Sequence, residues 1–228
     1  MKERPTVLSE ELRPLTVFTA EEFRSYLKGR IAQIPRVERG CDPVEITDAF
    51  VQGEQPCYLD GASFMGCCIW FQRCVFSREL VIEGGRADVM FNNCASPGVT
   101  MSEGFKGCLI RECAFGEVRL YSKKNWSRVH LDDCKFERVS LSGSLELVDD
   151  EFSFSCDELD WFPTAVRSHH HGGKTDAPIC LEEVTVNNRI RTNSFVWANY
   201  FRLLCPTVPI VYMGPLKHLA VCSCKNGT

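Results

Sequence analysis

Large apolar side chains recur at every fifth position through the middle of the chain, and a smaller apolar residue usually stands two places before each one. One run of large positions is Phe105, Ile110, Phe115 and Leu120, and the next, shifted by one residue, is Trp126, Leu131, Phe136 and Leu141. A period of five fits neither an α-helix, which repeats at about 3.6 residues, nor an ordinary strand, which repeats at about two. The pattern predicts a solenoid whose coils are made of several short sides of equal length.

A longer period lies above the period of five. Four cysteines, each preceded by an apolar residue and a polar pair, are spaced 20, 19 and 21 residues apart; they are Cys74, Cys94, Cys113 and Cys134. Four sides of five residues make a coil of about twenty residues, whose equivalent positions should stack about 4.8 Å apart, as in paired parallel strands. We therefore predict a mainly β protein with a parallel β-helix over residues 48–162.

The repeats resemble those of the pentapeptide-repeat family across about residues 55–160. Three consecutive units carry the likeness, namely Cys57-x-Leu59, Ala62-x-Phe64 and Cys67-x-Ile69. Cysteine and valine often replace the alanine that this family prefers, and asparagine or aspartate is rarely the middle residue. The resemblance implies a right-handed quadrilateral β-helix, with a wider, irregular right-handed β-helix as the alternative. Some members are also similar to B-form DNA in width and charge and occupy the DNA-binding grooves of enzymes.

Two flanking regions are predicted to cap the solenoid, because its ends would otherwise offer unpaired strand edges. Residues 1–47 contain a capping box, Thr19 to Glu22, which predicts an amphipathic helix over about residues 20–33. Residues 163–228 begin with a loop excursion and should then contain a second helix, capped by Thr192 or Asn193, that ends before Pro206. This region is predicted to be a C-terminal cap or a homodimer interface.

The composition indicates a cytoplasmic protein. The chain has 26 Lys and Arg against 30 Asp and Glu, a net charge of -4, which argues against a general nucleic-acid binder. No apolar stretch approaches membrane-spanning length, and the N-terminus lacks the apolar run of a secretory signal. Seven of the 14 cysteines occupy the small position of a five-residue unit, so we interpret them as reduced core residues.

An acidic segment is the candidate partner-binding surface. Between Ser140 and Phe162 the chain has seven acidic residues and neither lysine nor arginine. With an acidic pair about one coil earlier, the predicted contact residues are Asp132, Asp133, Glu146, Asp149, Asp150, Glu151, Asp157, Glu158 and Asp160. With a register slip, Asp132 would stack on Asp149, and Asp133 on Asp150. The segment is either a solvated face that keeps the protein soluble or a docking surface for a basic groove.

Other candidate sites have weaker motifs. A carbohydrate-active β-helix enzyme needs two carboxylates at a fixed separation across a sugar, and here no focused set of basic and aromatic subsite residues accompanies the acids. The run His169 to His171 is typical of an exposed loop. His218, Cys222 and Cys224, with Cys205, are a further candidate for a zinc site. The aromatic cluster of the C-terminal region is typical of a core or, if exposed, of an interface.

The chain lacks a Walker loop, a Gly-rich dinucleotide fingerprint, a nucleophile elbow and an HExxH motif. We therefore predict a non-enzymatic protein, without cofactor or metal, that inhibits or modulates a protein partner such as a nucleic-acid-processing enzyme. Direct contact with nucleic acid or membrane is not expected. A carbohydrate-active enzyme and a purely structural or oligomerising module are the alternatives.

Overall fold

The computed structural model describes residues 14–34, 43–64, 66–85, 88–102, 105–170, 173–175, 181 and 183–214. Within these ranges it gives only the backbone for residues 123–126, 148–151, 168–170 and 173–175. The protein is mainly β, and its parallel strands form a β-solenoid of about seven coils spaced by about 21 residues. The predicted solenoid is thus confirmed.

The helices and strands follow one another in an order that returns to the same sides of the coil. The first part consists of β1 (Thr16–Thr19), α1 (Ala20–Ala32), β2 (Val44–Thr47), β3 (Ala49–Gln52), β4 (Cys57–Asp60), a 3-10 turn (Gly61–Phe64), β5 (Cys68–Gln72), β6 (Val75–Phe76) and β7 (Leu80–Glu83). The second part consists of β8 (Asp88–Asn92), β9 (Ala95–Ser102), β10 (Gly107–Arg111), β11 (Ala114–His170), β12 (Gly173–Thr175), β13 (Val184–Thr192), α2 (Phe195–Leu204) and β14 (Ile210–Tyr212).

Three parallel stacks of strands form sides of the coil. The first face contains β2, β5, β8, β10 and part of β11. The second face contains β1, β3, β6 and the beginnings of β9 and β11. The third face contains β4, β7, the end of β9 and a later part of β11. At the C-terminal end, β13 pairs with β11 and β14 pairs with β13.

The five-residue series fills the interior of the coils. Phe115 and Phe136 are each 2 % exposed and belong to the same core cluster. The five-residue spacing does not hold on the third face. Counted on from Cys74 and Phe76, it would place Glu79 and Val81 inward, but Leu80 and Ile82 join the core instead. The reason is the pairing with β4, which sets Leu80 opposite Cys57. The neighbouring coil, rather than the local spacing, therefore decides the register here.

One corner of the coil is built by left-handed residues that are not glycine. They lie between the first and second faces, with φ between 47° and 54°, and are Asp48, Arg73, Asn93, Glu112 and Asp133. A single left-handed residue turns the chain sharply, at a cost of about 1 kcal/mol for a side chain other than glycine. The polar pairs noticed in the sequence end on these residues, so the pairs mark the corner of each coil.

The four cysteines with a period of about twenty line the inside of this corner and form the inner cysteine column (Cys74, Cys94, Cys113, Cys134). The backbone N–H of Cys74 donates to Sγ of Cys94 at 3.4 Å, and that of Cys94 donates to Sγ of Cys113 at 3.3 Å. In return, the thiol of Cys94 donates to the carbonyl of Phe71 at 3.4 Å. Sulfur therefore serves here as both donor and acceptor and links successive coils.

Helix α1 has its predicted apolar side against the core, whereas in α2 Ala198 and Phe201 are buried and Val196 and Leu203 are exposed. In α1 the capping box is present, since Glu22 N–H donates to Oγ1 of Thr19 at 3.2 Å and Thr19 N–H donates to Oε2 of Glu22 at 2.8 Å. Phe23 packs with its ring centroid 5.8 Å from that of Phe76. The expected cap of α2 is wrong by one or two residues, because Ser194 is extended and accepts from the N–H of Trp197.

Candidate functional site

The acidic segment lies along the last coils, and arginines from neighbouring coils pair with much of it. Glu158 accepts from Arg189, at 2.7 Å, and from Arg138. These two guanidinium groups, Arg189 above all, hold the pKa of Glu158 below its usual value. Asp160 is 6 % exposed, and both of its carboxylate oxygens accept from Arg191. Their negative charge is thus compensated inside the protein.

Two further predicted contact residues are paired in the same way. Glu146 is 5 % exposed and accepts from Arg167 at 2.6 Å. Asp132 accepts from Nε of Arg111 at 2.7 Å. The pairing arginines lie outside the acidic run, some 21 residues from their partners, which is about one coil. A count of charges along the segment therefore misses them.

The remaining predicted contact residues differ in what surrounds them. Asp157 is half-buried and accepts from the side-chain amide of Asn187 at 3.0 Å, whereas Asp133 is exposed. The side chains of three others lie outside the described part, namely Asp149, Asp150 and Glu151. The structure therefore brings Asp157, Glu158 and Asp160 together beside β13, and it places Asp132 and Asp133 at the left-handed corner.

The stacking of Asp132 on Asp149, and of Asp133 on Asp150, does not have the register that it requires. The backbone N–H of Asp133 donates to Oγ of Ser153 at 3.1 Å, and this hydroxyl donates to Asp132 at 3.3 Å. The residue beside the acidic pair is thus Ser153, about one full coil later. The three-residue slip that would bring Asp149 and Asp150 to this place is not made, because the coil keeps its length of about twenty residues.

An outer charged column, of which only Glu158 belongs to the predicted sites, runs between the second and third faces. It contains Glu79, Glu117, Arg119, Arg138, Glu158 and Arg189. Arg119 reaches Glu79 at 3.5 Å and Glu117 at 2.5 Å, and Arg138 reaches Glu117 at 3.8 Å. The hydrogen bond to Glu158 raises the pKa of Arg138. Opposite charges alternate along the solenoid axis, so the column holds coils together and presents little net charge.

The outer side of the first face carries an apolar column. Trp70, Met90 and Leu109 occupy equivalent positions of three successive coils and are half-buried. His130 follows in the next coil. These residues alternate with inward residues such as Phe71, so the five-residue series does not include them. The signal that could have found them is an apolar residue at the outward position of three consecutive coils.

Two concavities lie at the N-terminal end of the solenoid. The smaller has a volume of about 350 Å³ and separates α1 from β4 and from the 3-10 turn. The larger is an open groove of about 1040 Å³ along the start of α1 and the loop before β4. Arg24 and Tyr58 line both of them. Neither concavity contains a residue from the predicted acidic surface.

The candidate metal sites left open by the sequence lie mostly outside the described residues, and the described thiols have the properties of core residues. There, no group of three or more His, Cys, Asp and Glu residues could hold a metal ion. The side chains of His169 to His171, together with His218, Cys222 and Cys224, lie outside the described residues. Burial raises the pKa of Cys57 to about 11 and that of Cys156 to about 12. Such thiols stay protonated near neutral pH and are poor nucleophiles.

The aromatic residues of the C-terminal region pack mainly inside it. The ring centroid of Trp161 lies 5.0 Å from that of Trp197 and 5.5 Å from that of Phe201. Aliphatic residues of α2 are exposed instead, because Val196 is 75 % and Leu203 is 83 % exposed. The aromatic cluster is therefore part of the core, which is the first of its two interpretations, and the outward apolar surface of this region is aliphatic.

Comparison with known proteins gives no match, whether with family models, with curated proteins or with solved structures. Among the described residues, every helix is too short or too polar to cross a membrane. The arrangement of the faces is thus the only basis on which a function is proposed.

Proposed function

We propose that this protein is a non-enzymatic scaffold that binds another protein through the outer side of its first face. The observation that supports the proposal is the apolar column of Trp70, Met90 and Leu109, which crosses three successive coils. A flat parallel sheet holds these side chains about 4.8 Å apart, so they present one continuous strip. Apolar strips with polar borders are typical of protein interfaces.

Polar side chains border the column on both sides. Gln72, Asn92 and Arg111 occupy one flanking column, and Asp88 with Lys106 lies on the other side, where the two charges are 2.9 Å apart. This arrangement gives an apolar centre and a polar rim, which is the usual anatomy of a specific interface. The rigid solenoid fixes the side chains in advance, which lowers the ordering cost of binding.

The first face is a better candidate than the acidic segment, since arginines already compensate Glu146, Glu158 and Asp160. Docking of the acidic segment in a basic groove stays a prediction. Inhibition or modulation of the partner, and a reducing compartment such as the cytoplasm, belong to the same proposal. The free cysteines of the described residues fit such a compartment.

The finer features of the fold also belong to the proposal. These are a right-handed, four-sided coil, an end cap formed by α1, and a C-terminal cap or homodimer region. The position of Phe23 against Phe71 and Phe76 supports the first cap. The exposure of Val196 and Leu203 supports a homodimer, for which the molar mass in solution is the test. A measured molar mass equal to that of one chain at micromolar concentration would contradict the proposed homodimer.

The test compares captured proteins across variants. The wild-type protein, a Met90→Glu variant and a Tyr121→Glu control are used as baits in one lysate, and captured proteins are quantified by mass spectrometry. Both changes place one carboxylate at an outward apolar position, one on the first face and one at Tyr121 of β11, which is 40 % exposed. We expect a partner that wild type and control retain equally and that Met90→Glu loses at least tenfold. Equal retention by all three baits would contradict the proposal.

A further inference from the structure

We propose that the open edge of β4, beside α1, binds an extended peptide segment with an acidic side chain. This site lies at the N-terminal end of the solenoid and is separate from the first face. Its components are the unpaired edge of a strand, a concavity between that edge and a helix, and basic side chains on the helix. The proposal does not depend on the function proposed above.

Within the described ranges, no strand pairs with the edge of β4 that faces α1. On its other side β4 pairs in parallel with β7, and Cys57 N–H donates to the carbonyl of Glu79 at 2.8 Å. Because backbone groups alternate along a strand, those of Tyr58 and Asp60 point away from β7. Among the described residues, no strand pairs with this edge. Such an edge is a template for a further strand.

The molecule already uses strand addition at the equivalent place on the second face. There β3 would end the stack, but β1 pairs with it in parallel, from Thr16 opposite Ala49 to Thr19 opposite Gln52. β1 leads directly into α1, so an added strand and this helix fit side by side on the end of the solenoid. The position beside β4 on the third face is the counterpart that no described strand occupies.

A concavity of about 350 Å³ lies between this edge and α1. One wall is formed by Arg24, Leu27 and Lys28 of the helix, and the opposite wall contains Tyr58 and Leu59 of β4. Tyr58 is 51 % exposed. A groove between a strand edge and a helix suits β-augmentation, in which main-chain hydrogen bonds supply affinity and side-chain contacts supply specificity.

The charges favour an acidic side chain in the added strand. Arg24 is half-buried and Lys28 is exposed, and within the described chain neither has an ion-pair partner. The carboxylate of Asp60, on the other wall, accepts from the N–H of Ala62 at 2.9 Å, and Glu83 is exposed. A peptide carboxylate beside Arg24 would be attracted by two cations and would gain a charge-assisted hydrogen bond. The far end, at Asp60 and Glu83, favours a basic residue.

The first experiment selects ligands without assuming a sequence. A phage library of random octapeptides is selected on the full chain, on the double variant Arg24→Glu/Lys28→Glu and on the control Arg30→Glu, which changes the same helix outside the groove. We expect an enriched motif with an acidic residue on wild type and control. Affinity of the selected peptide, measured by fluorescence polarisation, should fall at least tenfold for the double variant. It should be unchanged for Met90→Glu.

The second experiment tests the backbone pairing. Hydrogen exchange of the Tyr58 amide should be fast in the free protein and at least tenfold slower with the selected peptide, whereas the Leu59 amide, directed toward β7, should be slow in both. No enriched motif, or a motif that binds the double variant equally, would overturn the proposal. Slow exchange of Tyr58 in the free protein would also overturn it, because the edge would then already be paired within the chain or with a second copy.

Discussion

The inner cysteine column and the outer charged column both run along the axis of the solenoid and link successive coils. The first lies in the buried interior, and the second lies at the surface in contact with solvent. Cys74 and Cys94 are fully buried, so their contacts are protected from water and salt. In the outer column, the side chains of Arg119 and Glu79 are 49 % and 31 % exposed, so solvent screens their attraction. The two columns have a similar spacing along the chain, but their contacts therefore do not contribute equally to the free energy of unfolding.

The two columns also respond to pH in opposite directions. A buried thiol resists ionisation, so alkaline conditions weaken the inner column, whereas Glu158 of the outer column, whose pKa is lowered by its arginines, loses its charge only in acid. The stability of the fold at high pH is thus controlled by the interior, and the small contribution of the surface disappears at low pH. The expected effects below run from the largest to the smallest.

The largest expected effect is the loss of stability in alkali. The pKa is raised in six buried thiols, those of Cys57, Cys74, Cys94, Cys108, Cys134 and Cys156; burial is the main cause, except for Cys74, where the sulfur hydrogen bond with Cys94 outweighs it. In the unfolded chain a thiol ionises near pH 8.5. Above that pH the unfolded state releases protons that the native state keeps, so each thiol lowers the free energy of unfolding by about 1.4 kcal/mol per pH unit.

Urea unfolding under reducing conditions at pH 7.5, 9 and 10 measures this slope. We expect the midpoint to fall steeply between pH 9 and 10, since the pKa of Cys94 is raised to about 12 and its thiol stays protonated in the native state. The pKa of Glu158 is lowered by its two arginines, so this carboxylate of the outer column stays ionised throughout this range and acts as an internal control. A midpoint that does not change with pH would show that the thiols are accessible to water in the native state.

A smaller effect is expected when one thiol of the inner column is removed. Cys94→Ala deletes the acceptor of the Cys74 N–H and leaves a cavity at a position that is 0 % exposed. Unpaired buried donors and small cavities each cost about 1–2 kcal/mol. Thermal or urea unfolding should therefore show a loss of about 2–3 kcal/mol. The matched control, Cys68→Ala on the outside of the first face, should lose less than half of that amount.

The smallest effect is expected in the outer charged column. Glu158→Gln removes the charge that Arg189 and Arg138 share, and because these groups are partly exposed the loss should be about 1 kcal/mol or less. The lowered pKa of Glu158 means that its contribution is present above the unfolded pKa, near 4.3, and is lost as the pH falls through its native pKa. In urea unfolding, the difference between wild type and variant should thus be largest at pH 7 and become smaller toward pH 3. A difference that is unchanged at pH 3 and in 1 M salt would assign the effect to packing.

The sequence predicts the interior of this fold better than its surface. The positions of Phe115 and Phe136 follow from the spacing alone, because inward side chains must be apolar and evenly spaced to fill a narrow core. Continued from Cys74, the five-residue spacing would place Glu79 inward, but the register there is set by β4, whose Cys57 pairs with Leu80, 23 residues later. The compensation of Glu158 depends on arginines 20 and 31 residues away, which no local window contains.

The candidate sites were harder to predict than the core for a related reason. The outward strip of Met90 and Leu109 has no constraint from core filling, so nothing in the five-residue series points to it. The groove beside β4 depends on how α1 lies across the end of the coils, which is a tertiary property of Arg24 and Tyr58. The acidic run, by contrast, is obvious in the sequence, because a local count of charges does not include the arginines that folding brings next to it.

The left-handed corner makes the number of coils an adjustable property of this protein. A segment that begins at Cys94 follows the left-handed Asn93 and can end at Glu112, which has the same backbone conformation at the same point of the cross-section. A duplicated copy of this segment would therefore join its neighbours without a new loop, and the rod would grow by about 4.8 Å. Length could thus change in discrete steps while both termini keep their structure.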